Sequence, residues 1–325
     1  MKKSRIFSGI LSLSVTASLI LSGCSSNKTE VSETMAEGQT VPQLSVSEAS
    51  LASEPKYEAR KDIETILFIG LDKFEAEEYE FGYLNDQQCD FLMLFILDEK
   101  DQVCDVLHLN RDTMTEIRRL GVGGKDAGKF TGQLALAHTY GSGGSDSCYN
   151  TTRAVSKFLK GVRIDHYVAM TMAGVGKVND LVGGVEVTIP VDMTAVDPEF
   201  QEGKTVLLQG DQALTFVRAR GSLEDSSNIT RMERQRLYLS ALYEKLLFSS
   251  HEDSGFVKHS LLEMTSYMQS DMTINQLDAM ADVMENCTLN PFTTIDGEAV
   301  VGEEFMEFYA DEDSLNDVLI SLFTE

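Results

Sequence analysis

The chain has 325 residues, of which 52 are acidic and 27 are Lys or Arg, so its formal net charge is −25. Hydrophobic residues make up 42% of the sequence, which is enough for a buried core in one large domain or two ordinary ones. Nucleic-acid binding depends on neutralising phosphates with Lys and Arg, so the acidic balance argues against a nucleic-acid partner.

The N-terminus has the pattern of an export signal. Basic residues within the first five positions precede an apolar run over residues 6–21, which is too short and wrongly flanked for a spanning helix. The run ends in LSGC, which resembles the bacterial lipobox, where the cysteine becomes the lipidated first residue of the mature protein. A signal peptide with an incidental cysteine and a signal anchor are the alternatives. We therefore predict a signal peptide at 1–23 and lipidation of Cys24, which would anchor an extracytoplasmic protein to a bacterial membrane.

The segment after this cysteine, residues 24–58, is rich in Ser, Thr, Glu and Ala and has few large apolar residues. Such a composition predicts a disordered tether, because it cannot bury enough apolar surface to order itself. A flexible coil of some thirty residues reaches roughly 30 Å on average. Beyond the tether we predict a catalytic domain at 59–250 and a C-terminal extension at 251–325 that packs on the same domain.

Three short apolar runs predict strands of one sheet; they lie at 64–71, 91–97 and 103–109. The short turn after the second run makes the last two an antiparallel hairpin, which places Asp90 beside Arg111. Asp72 reaches the same rim if the first strand is also antiparallel to the second. Two carboxylates suit Mg²⁺ when a diphosphate binds beside them, because this ion takes few protein oxygens and completes its shell with phosphate oxygens and water. The alternative is that both aspartates are ordinary strand-end turn residues.

Residues 210–247 concentrate positive charge in an acidic chain. Five arginines lie within nineteen residues of this stretch: Arg218, Arg220, Arg231, Arg234 and Arg236. We predict a strand over 214–220, on which Arg218 and Arg220 point to one face. A helix predicted from Arg231 brings Arg231, Arg234 and Gln235 to a shared face. Converging guanidinium groups suit a diphosphate, with surface ion pairs to nearby acidic residues as the alternative.

The rest of the chain mixes strands and helices. We predict helices at 150–159, 173–181, 260–268, 274–285 and 314–323, strands at 164–172 and 185–189, and a strand pair within 293–309. This order predicts an α/β fold. Cys89 and Cys104 are candidates for a disulfide, with buried free thiols as the alternative.

Seven short motifs, in this order along the chain, resemble those of the LytR-CpsA-Psr family, which attaches anionic polymers to the cell wall. They are FIGLD at 68–72, NRDT at 110–113, IDHYV at 164–168, LVGGVEV at 181–187, GDQAL at 210–214, FVRAR at 216–220 and RMERQ at 231–235. The resemblance implies a central mixed β-sheet flanked by helices, with an apolar lipid pocket that ends at the arginines. It also implies transfer of a glycan phosphate, of the teichoic acid or capsular polysaccharide type, from polyprenyl diphosphate to a peptidoglycan hydroxyl. The implied location is the cell envelope of a Gram-positive bacterium.

The resemblance also implies roles for individual residues. Asp72 and Asp90 would hold Mg²⁺. The implied diphosphate ligands are Arg111, Arg218, Arg220 and Arg231, with Arg234 and Gln235 supporting them. The implied catalytic residues are Arg111, Asp112, Arg218 and Arg220. Asp112 would either orient Arg111 or act as a base, and the sequence leaves both roles open.

Three departures from the family pattern stand at the candidate site. Gln88 replaces an arginine that commonly binds the diphosphate, Asn110 replaces the usual proline before Arg111, and Asn228 replaces an aspartate before the helix arginine. The departure at Gln88 motivates a second hypothesis. In it the chain is a polyprenyl-diphosphate-binding protein, or a pyrophosphatase, with little or no transferase activity.

Overall fold

The computed structural model describes residues 60–72, 77–79, 82–84, 87–121, 124–219, 228–303 and 305–324. The strands are β1 Glu64–Leu71, β2 Glu77–Tyr79, β3 Gly82–Leu84, β4 Cys89–Asp98, β5 Val103–Leu109, β6 Met114–Leu120, β7 Asp126–Gln133, β8 His166–Thr171, β9 Val185–Thr188, β10 Thr205–Leu208, β11 Met268–Ser270, β12 Thr288–Leu289, β13 Gly297–Val301 and β14 Met306–Ala310. The helices are α1 Leu136–Thr139, α2 Gly144–Phe158, α3 Met172–Leu181, α4 Asp211–Arg218, α5 Asn228–Glu252, α6 Phe256–Met264, α7 Ile274–Glu285 and α8 Glu312–Phe323. The predicted signal peptide (1–23), Cys24, the tether (24–58) and Arg220 lie outside the described residues.

The apolar runs form a six-stranded sheet with the order β11-β8-β1-β4-β5-β12. The sheet is mixed, because β4 is antiparallel to both β1 and β5 whereas β8 runs parallel to β1. Strands buried on both faces read as nearly continuous apolar sequence, which is the pattern of β1 and β4. The predicted hairpin of β4 and β5 and the predicted α/β class with a central mixed sheet are confirmed.

Helices cover both faces of this sheet. On one face, Leu67 and Ile69 belong to a buried cluster that includes residues of α1, α2 and α8. On the other face, Ile66 and Met93 belong to a cluster against which residues of α5 and α7 pack. Successive side chains of β1 therefore alternate between two cores, as the two-residue period of a strand requires.

A third cluster lies beside the sheet and positions the arginine-bearing helices. It combines β9 and β10 with buried residues of α4 and α5, among them Phe216 and Tyr238. The C-terminal residues join the sheet and its cover: β11 and β12 form its two edges, and Leu319 of α8 lies in the first cluster. No helix among the described residues is long and apolar enough to cross a bilayer.

The predicted strand over 214–220 is wrong, because residues 211–218 form α4. Gly210 has a φ of 49°, which L side chains rarely adopt, and this residue precedes the helix. Ala213, Phe216 and Val217 are three and four residues apart, so a helix brings all three into the third cluster. The helix predicted from Arg231 begins one turn earlier, at Asn228.

The disulfide between Cys89 and Cys104 is also wrong. Both are buried free thiols. The two strands are neighbours, but Cys104 pairs with Leu97, at the opposite end of β4 from Cys89. The alternative prediction of buried thiols is the one that the structure shows.

Candidate functional site

The rim where β1 ends and β4 begins carries the two candidate metal ligands. Gly70 pairs with Phe91 and Leu71 pairs with Cys89, so Asp90 is the extra residue of a β-bulge. Bulges re-aim side chains and are common next to active sites. Since β1 and β4 are antiparallel, Asp72 at the end of β1 comes to the same rim, as the sequence predicted.

Arg111 is the centre of a buried polar network at this rim. Its side chain is 10% exposed and forms an ion pair with Asp90. Its Nε lies 3.1 Å from Oδ1 of Asp112, and its Nη2 donates a hydrogen bond to Oε1 of Gln88 at 2.8 Å. Gln88 therefore accepts a hydrogen bond from Arg111 and helps to orient it.

Asp112 is bound in a way that favours orientation over proton transfer. Its Oδ1 accepts hydrogen bonds from Nε of Arg111 and, at 3.0 Å, from Nε2 of Gln133. The residue is 6% exposed, and its backbone carbonyl accepts from the amide of Phe308 on β14. A buried carboxylate oxygen that accepts from two donors is held in place, and Asp112 in turn holds Arg111. Sequence reasoning missed Gln133 and β14, since no local pattern joins them to Asp112.

Arg218 stands at the last residue of α4, opposite Asp72. Its Nη2 lies 3.2 Å from Oδ1 of Asp72, and the two side chains are 54% and 50% exposed. An ion pair this exposed contributes roughly 0–1 kcal/mol, so an anionic ligand can displace the carboxylate at little cost. The structure thus brings Arg218 to the rim that carries Asp72 and Asp90.

Arg231 approaches the same rim from the first turn of α5. It is 4% exposed, and its Nη2 donates to the backbone carbonyl of Asp90 at 3.2 Å. A second hydrogen bond from Nη2 goes to Oδ1 of Asn228. The N-terminus of a 25-residue helix carries a partial positive charge, so α5 adds to the attraction for an anion.

Arg234 and Gln235 bind the end of α4. Arg234 donates from Nε to the carbonyl of Phe216 at 3.3 Å and from Nη2 to that of Ala219 at 2.5 Å. Gln235 donates to the carbonyl of Val217 at 3.3 Å. These contacts satisfy carbonyls at the C-terminal end of α4, which has Arg218 as its last residue.

An apolar cavity of about 280 Å³ opens at these arginines. Residues of β1, β4, β8, β12, α3, α4, α5 and α7 line it, among them Phe68, Phe91, Met170, Val175, Val178, Leu239, Leu242, Tyr243 and Met284. Arg218 and Arg231 are its charged lining residues. The hydroxyl of Tyr243 donates to the carbonyl of Met284, so its ring contributes apolar surface. The predicted apolar pocket is therefore present and ends at the predicted arginines.

The cavity wall on α3 was not predicted, although its sequence carried a signal. Met172, Val175 and Val178 recur every three residues, which places an apolar stripe on one face of a helix. Such a stripe is typical of a helix that packs against a core; here Val175 and Val178 pack against the third cluster and also line the cavity.

The rim has donors that suit Mg²⁺. Among the described residues, no three His, Cys, Asp or Glu side chains are grouped as a metal site. Mg²⁺ needs no such cage, because it binds through one or two carboxylates and completes its octahedron with phosphate oxygens and water. Asp72 and Asp90, which pair with Arg218 and Arg111 in this structure, would supply two hard oxygen ligands beside guanidinium groups that suit a diphosphate. The residues therefore fit a Mg²⁺ that binds together with its ligand.

Comparison with known proteins agrees with this geometry. The polyisoprenyl-teichoic acid–peptidoglycan teichoic acid transferase TagU of Bacillus mycoides (strain KBAB4) is 33% identical over 202 residues. These residues are 62% of this chain and 60% of that protein, so the chain spans about three fifths of the length of this relative.

Two solved structures share the fold. The crystal structure of B. subtilis TagV has a TM-score of 0.62 and 23% identity and covers 81% of this chain and 96% of its own. The protein gbs0355 from Streptococcus agalactiae has a TM-score of 0.64 and 18% identity and covers 80% of this chain and 86% of its own. The family model described as the LytR_cpsA_psr family matches residues 19–319. Because this match extends over most of the sequence, the chain belongs to the LytR-CpsA-Psr family.

Proposed function

We propose that this protein transfers a glycan phosphate, of the teichoic acid or capsular polysaccharide type, from polyprenyl diphosphate to a peptidoglycan hydroxyl. One observation carries the proposal: an apolar cavity of about 280 Å³ ends at two arginines beside a rim with two aspartates. A polyprenyl chain matches the apolar wall, and a diphosphate matches the guanidinium groups. The name of the TagU relative, a teichoic acid transferase that acts on peptidoglycan, supports the same reaction.

The proposed reaction is a displacement at phosphorus beside the arginines. The acceptor hydroxyl oxygen forms a bond to the phosphorus nearer the glycan and gives its proton to water, while the bond from that phosphorus to the bridging oxygen breaks. Polyprenyl phosphate leaves with the electron pair. Arg111, Arg218, Arg220 and Arg231 would neutralise the charge that moves onto the diphosphate oxygens.

The remaining site residues would position these arginines. Asp112 and Gln88 orient Arg111, and Arg234 with Gln235 holds the helix end that bears Arg218. Asp72 and Asp90 would hold Mg²⁺, which neutralises further charge on the diphosphate. An in-line displacement needs positioning and electrostatics more than a covalent nucleophile.

The same proposal places the protein in the cell envelope. The export pattern and LSGC motif support an extracytoplasmic protein that Cys24 anchors to the membrane by its lipid. The Bacillus source of the TagU relative supports a Gram-positive envelope. A lipid anchor would keep the cavity near the membrane that supplies the polyprenyl substrate.

A second candidate function rests on Gln88. With an amide where the family has an arginine, the site holds one positive charge fewer for the transition state. The chain would then bind polyprenyl diphosphates without turnover, or transfer the phosphoryl group to water as a pyrophosphatase.

The test uses purified protein, a polyprenyl-diphosphate-linked glycan and peptidoglycan fragments, with and without Mg²⁺. A transferase releases polyprenyl phosphate and forms a glycan–peptidoglycan phosphodiester. Arg218→Ala is expected to slow this by about a hundredfold, the typical effect of removing one donor to developing charge. Arg163→Ala is the matched control, because Arg163 is a 63%-exposed arginine that also pairs with an aspartate, Asp165.

The other outcomes separate the alternatives. Release of polyprenyl phosphate that needs no acceptor would indicate the pyrophosphatase. Tight binding of the lipid with no product would indicate the binding protein, and absence of binding would contradict all three functions.

A further inference from the structure

Two buried asparagines connect the start of α5 to the end of β5. Asn110 and Asn228 are 9% and 8% exposed and are 118 residues apart in the sequence. Nδ2 of Asn228 donates a hydrogen bond to Oδ1 of Asn110 at 2.5 Å. These are two of the three positions at which the chain departs from the family pattern, and the structure places them in contact.

The orientation of each amide is fixed by a partner that can only donate. Oδ1 of Asn110 also accepts from the backbone amide of Asp112 at 3.0 Å. Oδ1 of Asn228 accepts from Nη2 of Arg231 at 2.5 Å. Because a backbone N–H and a guanidinium have no acceptor, both oxygens must face them, and Nδ2 of Asn228 remains to face Asn110. The contact therefore needs an amide at position 228.

Each asparagine is next to an arginine that contacts Asp90. Arg111, next to Asn110, forms an ion pair with the side chain of Asp90, and Arg231 donates to the backbone carbonyl of Asp90. A carboxylate at position 228 would pair with Arg231 and take up part of its charge. A neutral amide holds the guanidinium in the same place without adding a negative charge beside it.

We infer that Asn110 and Asn228 are positioning residues that keep Arg231 in register with Arg111 for binding both phosphates of the lipid. This inference rests on the proposed polyprenyl-diphosphate substrate. A site that needs two arginines from different elements is sensitive to their spacing, since small displacements weaken charge-assisted hydrogen bonds. A diphosphate has two phosphates for the two arginines to bind, so its affinity depends on the spacing of Arg111 and Arg231 more than that of a monophosphate does.

The experiment measures Kd for polyprenyl diphosphate and for polyprenyl monophosphate of the same chain length in the same detergent. Asn228→Asp keeps the shape of the side chain but turns an oxygen toward Oδ1 of Asn110, and Asn228→Ala removes both contacts. Each is expected to lower the preference for the diphosphate by about tenfold, because each removes the hydrogen bond between the two side chains and so loosens the position of Arg231. Binding of the monophosphate is expected to change much less.

A double-mutant cycle tests whether the two asparagines act as one unit. If they do, Asn110→Ala combined with Asn228→Ala lowers the preference no further than Asn228→Ala alone. Asn150→Ala is the matched control, because Asn150 is 2% exposed and donates to the carbonyls of Arg118 and Ala137. The control is expected to lower the melting temperature and to leave the preference unchanged.

Failure of this inference is distinguishable from failure of the proposed function. A wild-type protein that prefers the diphosphate, with Asn228→Asp equal to it or with additive effects in the cycle, would overturn the positioning role alone. A wild-type protein without any preference for the diphosphate would overturn the proposed substrate. If Asn228→Ala does not fold, the isosteric Asn228→Asp decides the question.

Discussion

Arg218 and Arg234 have different tasks at this site, and their contacts and burial show the difference. The side chain of Arg218 is 54% exposed and pairs with the half-exposed carboxylate of Asp72, so an anion can reach it. Arg234 is 1% exposed and binds the carbonyls of Phe216 and Ala219. Carbonyls at a helix C-terminus carry partial negative charge, so a buried guanidinium stabilises the end of α4.

The substitution Arg234→Met tests this division. It keeps the apolar stem but removes the donors to two buried carbonyls, and we expect it to lower the free energy of unfolding by about 3 kcal/mol. Arg218→Met should affect binding and not stability. We expect it to change the free energy of unfolding by no more than about 0.5 kcal/mol, as surface substitutions usually do, and to abolish the preference for the diphosphate over the monophosphate. Urea unfolding and lipid binding measure the two effects. A stable Arg234→Met protein that fails to bind the lipid would show Arg234 to be a direct ligand.

At the scale of elements, the sheet and its rim could be predicted but the arginine helix could not. The runs that became β1, β4 and β5 are apolar throughout and separated by turn residues, so their pairing placed Asp72 and Asp90 together. The segment 214–220 is too short for its apolar residues to show whether they repeat every two residues, as in a strand, or every 3.6, as in a helix. A helix formed there because tertiary packing with α5 and β9 decided the outcome.

The β-bulge and the cavity have no local sequence signal. The bulge at Asp90 is a property of the register between two strands, which becomes fixed only when both are paired. The cavity is the volume that α3, α5 and α7 leave unfilled against the sheet. A sequence specifies which side chains are apolar but not which of them face empty space.

Filling the cavity from α3 tests what it holds. Val175 lines the cavity, and Val175→Phe would place a ring in it. We expect polyprenyl diphosphate binding to fall at least about tenfold, while stability changes by less than about 1.5 kcal/mol because the ring enters existing space. Binding of inorganic pyrophosphate, which has no chain, should be unchanged.

The exposed position Val191 provides the control. It is 39% exposed, and Val191→Phe adds the same ring away from the cavity. Equal weakening of pyrophosphate and lipid binding in Val175→Phe would mean that the cavity does not receive the chain.

At the scale of the whole molecule, the acidic charge makes the local arginine cluster necessary. A formal net charge of −25 repels an anionic lipid at long range, so recognition depends on guanidinium groups in direct contact. Salt screens the long-range repulsion more than the contacts inside the rim. Binding of the diphosphate should therefore weaken with added salt less than it would for a surface patch of lysines.

Two histidines buried in the neutral form set how the whole fold responds to acid. His108 and His138 are 1% and 2% exposed. Burial lowers the pKa of His108 to about 3, with a further contribution from the charges of Arg236 and Arg231. Burial lowers the pKa of His138 to about 4, although its hydrogen bond to the carbonyl of Gln87 opposes the shift. Neither histidine is protonated at neutral pH, so neither adds charge to the site.

Because both histidines have lowered pKa values in the fold, acid lowers the free energy of unfolding. An unfolded histidine has a pKa of about 6.5, so below that value the unfolded chain binds protons that the folded chain excludes. Stability from the neutral histidines is present above about pH 6.5 and is lost as the pH falls toward their folded pKa values. Each histidine should lower the free energy of unfolding by about 1.6 kcal/mol between pH 6.5 and pH 5.0, because the unfolded imidazole goes from half to almost fully protonated and a full proton is worth about 1.4 kcal/mol per pH unit.

His138→Gln and His108→Phe remove these titrations one at a time. Urea unfolding at pH 6.5 and pH 5.0 should show that the free energy of unfolding of each variant falls by about 1.6 kcal/mol less than that of the wild type over this interval. The carboxylates titrate alike in all three proteins, so their contribution cancels in the comparison. If a variant loses as much stability as the wild type, the histidine that it lacks is protonated inside the wild-type fold. A buried imidazolium would then lie near the arginine rim.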